Sequence, residues 1–234
     1  MTSLLRLNKL IVLNELIDCF NPKKIALSSY GIREGLLYSA MDKKLRELDP
    51  LLEACRHIES TAARMPGFGL ILFNFIMPLF ETSEKNFVRL IKAACFLHDV
   101  SWRAHPDYRA EVCFDNATRA NLGGIDHQGR AFLATALLYR YKSPKKSETF
   151  SKVFSILAKE DKRRAEILGK AMRFGAMLSG STAASMGKLE LDNIKKLLKL
   201  KISEKNKDLF GEVVQQRFES VALRMSYKPL IVWV

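Results

Sequence analysis

The chain has 234 residues, of which 48% are hydrophobic and 27% charged; this fits one large globular domain or a medium one with appendages, and excludes a disordered or fibrous class. Lys and Arg outnumber Asp and Glu by 38 to 25, a formal charge of +13, which favours a polyanionic partner such as nucleic acid, an acidic membrane surface or a phosphate polymer. Cys19, Cys55, Cys95 and Cys113 stand far apart with no CxxC pair, which argues against a disulfide framework or zinc knuckle and for a reducing compartment.

Residues 3–20 place Leu4, Leu7, Ile11, Leu16 and Phe20 on a helix. Asn14, Glu15 and Asp18 interrupt it and no small-residue cleavage site follows, so it does not read as a signal peptide. Asn21-Pro22 ends the helix, residues 24–28 read as a short strand, and a turn at Ser29-Tyr30-Gly31 leads into a helix over 33–38. Asp49-Pro50 is a cap and first-turn pair opening a helical region. Helices are predicted at about 50–64, 68–80, from Thr82 or Ser83 to His98, and at 109–121, 127–142, 148–158 and 161–178. The apolar run from Gly69 to Phe80 contains Asn74 and Pro78 and falls short of the roughly 20 residues a membrane span needs, so a cytoplasmic protein is expected. Gly180-Ser181-Thr182 marks a boundary. Residues 188–192 and 197–202 alternate like a hairpin, a helix covers about 208–225, and Pro229 to Val234 reads as a strand or packed tail.

Two segments together carry a family resemblance. Ile25-Ala26-Leu27-Ser28-Ser29-Tyr30-Gly31-Ile32-Arg33-Glu34-Gly35 resembles the strand, Ser, Gly-x-Arg-Glu-Gly segment near the end of an actin-like phosphatase fold. Ala93-Ala94-Cys95-Phe96-Leu97-His98-Asp99, continuing through His105-Pro106-Asp107-Tyr108-Arg109 to Gly124-Ile125-Asp126-His127, resembles the HD-like helical domain that follows that fold. The combination is similar to the C-terminal half of the exopolyphosphatase / guanosine pentaphosphate phosphatase family, in its alphaproteobacterial form. The resemblance implies a mainly α fold: an HD-like helical bundle over 48–180, preceded by a remnant of the actin-like domain over 1–47 and followed by a small C-terminal α+β unit over 181–234. It also implies that the catalytic lobes, with their magnesium-coordinating acids and general base, lie outside this sequence. Ser185-Met186-Gly187-Lys188-Leu189 lacks the first Gly and last Ser or Thr of a phosphate-binding P-loop.

An HD phosphohydrolase holds its metal through a first His, the His-Asp pair and a distant Asp, because a divalent cation needs several convergent ligands to polarise water. His98, seven residues after Ile91 and four after Ala94, faces inward, so His98 and Asp99 are the metal candidates. Phe68 and Gly69 stand where the first His is expected, and Arg173-Phe174-Gly175-Ala176 puts Gly175 where the distant Asp is expected. No metal site and no catalytic residue is assigned on this pattern. His98 reads instead as a buried side chain hydrogen-bonded locally.

Cationic residues supply the other candidates. Arg33, with Glu34, either contacts substrate at a lobe interface or caps its helix and pairs across a domain boundary. Trp102, Arg103, His105, Tyr108 and Arg109 form a basic, aromatic loop suited to a phosphate chain, or a loop packed through its aromatics. Arg140 and Lys142, with Lys145 and Lys146, make a second cluster. Lys162, Arg163 and Arg164 make a third, at a helix start whose dipole prefers acids. Each cluster alone reads as a solvated face, and together they read as a track for a long polyanion. Arg33, Arg103, His105, Arg109, Arg140 and Lys142 are therefore the expected substrate-binding residues. The resemblance implies that the full enzyme releases terminal phosphate from inorganic polyphosphate or guanosine pentaphosphate, and that this chain is its C-terminal domain, contributing a basic polyphosphate-binding groove, with magnesium required by the full-length family and no cofactor held here. Expected partners are inorganic polyphosphate, a second copy in a homodimer, and the actin-like half as a separate chain, with no membrane and no specific nucleic acid. A stand-alone HD-type nucleotide phosphohydrolase using His98 and Asp99, and a non-enzymatic nucleic-acid-binding module, are the alternatives.

Overall fold

Asp49 caps its helix as its side chain allows: Oδ1 accepts the backbone N–H groups of Leu51 and Leu52 at 2.9 and 3.3 Å, and Pro50 fills the first helical position. Arg89 grips the same carboxylate and donates to the Gly124 carbonyl at 2.7 Å, tying the helix start to two later segments. The computed structural model describes residues 2–25, 30–80, 84–142, 148–179 and 186–234, and divides the chain into two compact units, 1–47 and 48–234.

The first unit contains α1 (Thr2–Phe20), α2 (Ile32–Ala40) and α3 (Lys43–Arg46). The Glu34 carboxylate accepts the Gly31 N–H at 2.7 Å, closing the start of α2. Neither α2 nor α3 buries a residue, and Ile32, Leu36 and Leu37 are exposed. Lys24 and Ile25, expected to open a strand, lie in none; residues 26–28 of that expected strand fall outside the described residues.

The second unit is built from α4 (Pro50–Ala62), α5 (Phe68–Ile76), α6 (Lys85–Leu97), α7 (Arg109–Arg119), α8 (His127–Tyr141), α9 (Glu148–Phe154), α10 (Lys159–Leu178) and α11 (Glu212–Met225). Short 3₁₀ turns cover Met77–Phe80, where Pro78 ends the α5 hydrogen-bond ladder, and Glu204–Leu209. Helices α8 and α10 form the centre. Ala131 to Leu138 are buried without interruption, as expected of a helix packed on several sides. Gly169 lets α10 close on α8: a Cβ there would lie 2.4 Å from the Ala136 carbonyl oxygen and 2.9 Å from the Arg140 nitrogen.

The unit ends in a three-stranded sheet of β1 (Lys188–Asp192), β2 (Leu197–Ile202) and β3 (Lys228–Trp233). The hairpin β1–β2 is antiparallel, with Leu189 opposite Leu200. The tail is a strand, and it pairs parallel to β2, because α11 carries the chain back across the molecule before β3 begins. Leu189, Leu198, Leu200 and Ile202 put one sheet face into the same core as the helices. The boundary expected at Gly180-Ser181-Thr182 lies outside the described residues. The fold is thus mainly helical with a small C-terminal sheet, and no helix among the described residues is long and apolar enough to cross a membrane.

Candidate functional site

Helix α6 delivers His98 and Asp99 at its C-terminus, both buried. His98 Nδ1 lies 2.8 Å from the Cys95 carbonyl oxygen, which can only accept, so Nδ1 carries the proton and the imidazole is held in one tautomer. Burial, followed by the positive charge of Arg140, brings the His98 pKa down to about 4 against the opposing pull of the Cys95 carbonyl and Asp99. The Phe68 ring packs on His98 with centroids 5.5 Å apart. The position where an HD enzyme would present its first His therefore presents an aromatic face.

Asp99 points its carboxylate at Arg64, 35 residues away: Nε donates to Oδ2 at 2.7 Å and Nη2 to Oδ1 at 2.6 Å. Burial alone pushes the Asp99 pKa up; the Arg64 hydrogen bonds and the neighbouring positive charges outweigh it and leave the carboxyl below its ordinary value. A planar guanidinium thus occupies both oxygens that a cation would share. Gly175, where the distant acid is expected, faces Leu72 and Phe75 of α5 and Met186: a Cβ there would lie 2.5 Å from Leu72 Cδ1. Gly69 is closed in another way, with its N–H donating at 2.6 Å to the buried Glu59 carboxylate.

The loop after Asp99 is built on Trp102, whose indole N–H donates to the Ala62 carbonyl at 3.0 Å. Arg103 stacks on that indole at 4.6 Å and Arg64 lies 5.8 Å from its centroid. Arg109 folds back on the loop, donating from Nη2 to the Trp102 carbonyl at 2.7 Å and from Nε to that of Ala104 at 3.2 Å. His105 is exposed beside Asp107, its Nδ1 accepting the Asp107 N–H at 3.3 Å. Tyr141 donates to the His98 carbonyl at 2.8 Å, joining α8 to the same turn.

The expected cationic residues therefore separate. Arg103 and His105 share the loop, and Arg109 braces it from within. Lys142 is exposed at the end of α8 and Arg33 lies exposed in the first unit. Arg140 departs from the reading of its cluster as a solvated face: it is 8% exposed, because its position on α8 turns it inward towards His98 and Asp99. Lys145 and Lys146 fall outside the described residues. The third cluster is also corrected. Helix α10 begins at Lys159, so Glu160 and Asp161 occupy its first turn and satisfy the dipole, while Arg163 and Arg164 pair with Glu160 at 3.5 and 3.8 Å. Arg64 was not singled out in the sequence, and no local signal marks it. An apolar cleft of about 420 Å³, lined by Ile58, Leu97, Val100 and Leu137, opens behind the His-Asp turn, with Arg119 its one charged lining residue among those described.

These features define a helical domain carrying a His-Asp turn and ending in a small mixed sheet. Residues 72–232 match the family model described as exopolyphosphatase, C-terminal, and the chain belongs to that family. It is 29% identical over 151 residues to Retrograde regulation protein 2 of Saccharomyces cerevisiae, covering 62% of this chain and 25% of that protein. It is 23% identical over 169 residues to guanosine-5'-triphosphate,3'-diphosphate pyrophosphatase of Aeromonas salmonicida, covering 68% of this chain and 33% of the relative. The chain thus spans between 25% and 33% of the length of these curated relatives. The match includes the His-Asp turn; the Gly31-x-Arg-Glu-Gly segment lies before it.

Proposed function

We propose that this chain is the HD-like domain of an exopolyphosphatase-family phosphohydrolase, preceded by a remnant of the actin-like phosphatase fold, and that it guides inorganic polyphosphate along a basic surface without supplying the metal. The observation that carries this reading is the Arg64 fork on Asp99: a guanidinium holds both oxygens of the carboxylate that would have to ligate an ion. With that turn engaged internally, the exposed cations Arg103 on the loop and Lys142 at the end of α8, with the exposed imidazole of His105 as a hydrogen-bonding group, are available to meet a polyanion. The formal charge of +13 supports the same choice. In this reading magnesium belongs to catalytic lobes outside this sequence, and the domain works in the cytoplasm within a homodimer.

Titration of the protein with labelled polyphosphate at increasing KCl tests it. Affinity should fall steeply and log-linearly with salt, as ions are released from the polymer. Arg103→Glu should weaken binding and flatten the salt slope, while a chelator should leave binding unchanged. Affinity that is absent, or indifferent to salt, refutes the proposal.

A further inference from the structure

Helices α10 and α11 run antiparallel and meet rung by rung. Arg224 donates to Glu166 at 2.7 Å, and one turn along α10 the Lys170 ammonium meets the Ser220 hydroxyl at 3.1 Å. Three residues further along α10 and three further back along α11, the next rung is Arg173 opposite Arg217. The Phe174 and Phe218 rings, the next residue on each helix, pack with centroids 5.2 Å apart and hold that register. The first two rungs pair complementary groups. The third sets like charges against each other.

Arg140 approaches from the remaining side. The close contact of Gly169 with the α8 backbone at Ala136 and Arg140 brings α10 against α8, and Arg173 lies one turn beyond Gly169 on the same face of α10. Arg140 is more than nine-tenths buried, yet its Nε has no hydrogen-bond partner, and the buried Nε of Arg217 has none either. Asp99, the acid nearest Arg140 in charge, already has both oxygens on Arg64. Among the described residues no carboxylate lies within ion-pair distance of Arg140, Arg173 or Arg217, although buried guanidinium groups are ordinarily paired. Burial, then the charges of Arg217 and Arg140, lower the Arg173 pKa to about 10.

We propose that Arg140, Arg173 and Arg217 form a receiving site for a phosphate-type oxyanion, at the junction of α8, α10 and α11. Forked guanidinium donors match the tetrahedral oxygens of such an anion, and its negative charge relieves the repulsion among the three cations. Arg140 reaches this junction from beside the His-Asp turn, stacked on the Tyr141 ring at 4.9 Å, and the site does not rest on the polyphosphate reading. Either free orthophosphate or the terminal phosphoryl group of a longer chain presents the required oxygens.

The test measures the thermal midpoint and calorimetric binding of the whole chain with orthophosphate, with tripolyphosphate, and with chloride at matched ionic strength. Phosphate should raise the midpoint beyond the chloride control, and Arg173→Gln or Arg217→Gln should each weaken phosphate binding by roughly tenfold or more. Without phosphate, each variant should melt at or above the wild-type temperature, because a repulsive charge has been removed; this separates loss of the site from loss of the fold. Binding of orthophosphate identifies the free anion as ligand, and binding of tripolyphosphate alone identifies a chain end. A phosphate effect equal to that of chloride, or one retained in both variants, overturns the site. Salt-dependent polyphosphate binding lost in Arg103→Glu but kept in Arg173→Gln would leave the track and the receiving site as independent facts.

Discussion

At the scale of single residues, the Arg64–Asp99 pair is asymmetric: the Arg64 side chain is 52% exposed and that of Asp99 only 6%. Water screens one partner, so the pair contributes less than a fully buried bridge, and its main effect is to prevent an unpaired carboxylate inside the domain. His98 carries the sharper consequence. Its pKa is about 4 in the fold and 6.5 when unperturbed. Between those values the unfolded chain binds the proton that the folded chain refuses. Stability from this group is therefore complete above pH 6.5 and declines as the pH falls towards 4, by on the order of 3 kcal/mol. Urea titrations across that window should show the decline, and His98→Gln should remove most of it; an equal slope in the variant would assign the effect elsewhere. The inward orientation of His98 was legible in its spacing from Ile91 and Ala94. Arg64 was not, because a partner 35 residues distant leaves no trace in local pattern. Arg140 misled for a related reason: neighbours in a charge run, such as Arg140 and Lys142, need not share a surface once the chain is coiled.

Among elements, the α8–α10 contact at Gly169 sets the geometry of the Arg140–Arg173 junction. Gly169→Ala places two effects in competition. Alanine gains about 1 kcal/mol of helix propensity over glycine, whereas overpacking a close contact costs about 1–3 kcal/mol and sometimes more. The obstructing atoms are mostly backbone, the Ala136 oxygen at 2.4 Å and the Arg140 nitrogen at 2.9 Å, which cannot rotate away as a side chain could. The clash should win, lowering the urea midpoint, and a neutral or stabilising result would mean that the helices separate at little cost. Helices such as α4, α6 and α7 were readable from 3.6-residue periodicity, because each buries an apolar face and leaves a polar one in solvent. The starts were less readable: α10 opens two residues earlier than periodicity suggests, its first turn being polar on every side. The pairing of β3 with β2 was not readable either. Parallel neighbours are joined through α11, and nothing in Pro229 to Val234 specifies which edge the strand will take.

For the whole molecule, the division of apolar residues predicts where cooperativity resides. The buried hydrophobic core runs from Leu51 to Ala222, and over residues 10–25 and 30–47 none is buried. That first unit instead exposes Ile32, Leu36, Leu37 and Tyr38, each at least 54% accessible. A chain beginning at Leu48 keeps the Asp49 cap, its Arg89 partner and every core residue among those described. It should therefore unfold in urea as one cooperative transition. The isolated segment 1–47 buries no side chain over residues 10–25 and 30–47 with which to offset its conformational entropy, and should show no cooperative transition. Removing its exposed apolar side chains should also reduce self-association of the remainder, measurable by sedimentation. Loss of cooperativity in the chain from Leu48 would show that the first 47 residues complete the fold, and the binding surfaces assigned to the second unit would then have to be sought in the two together.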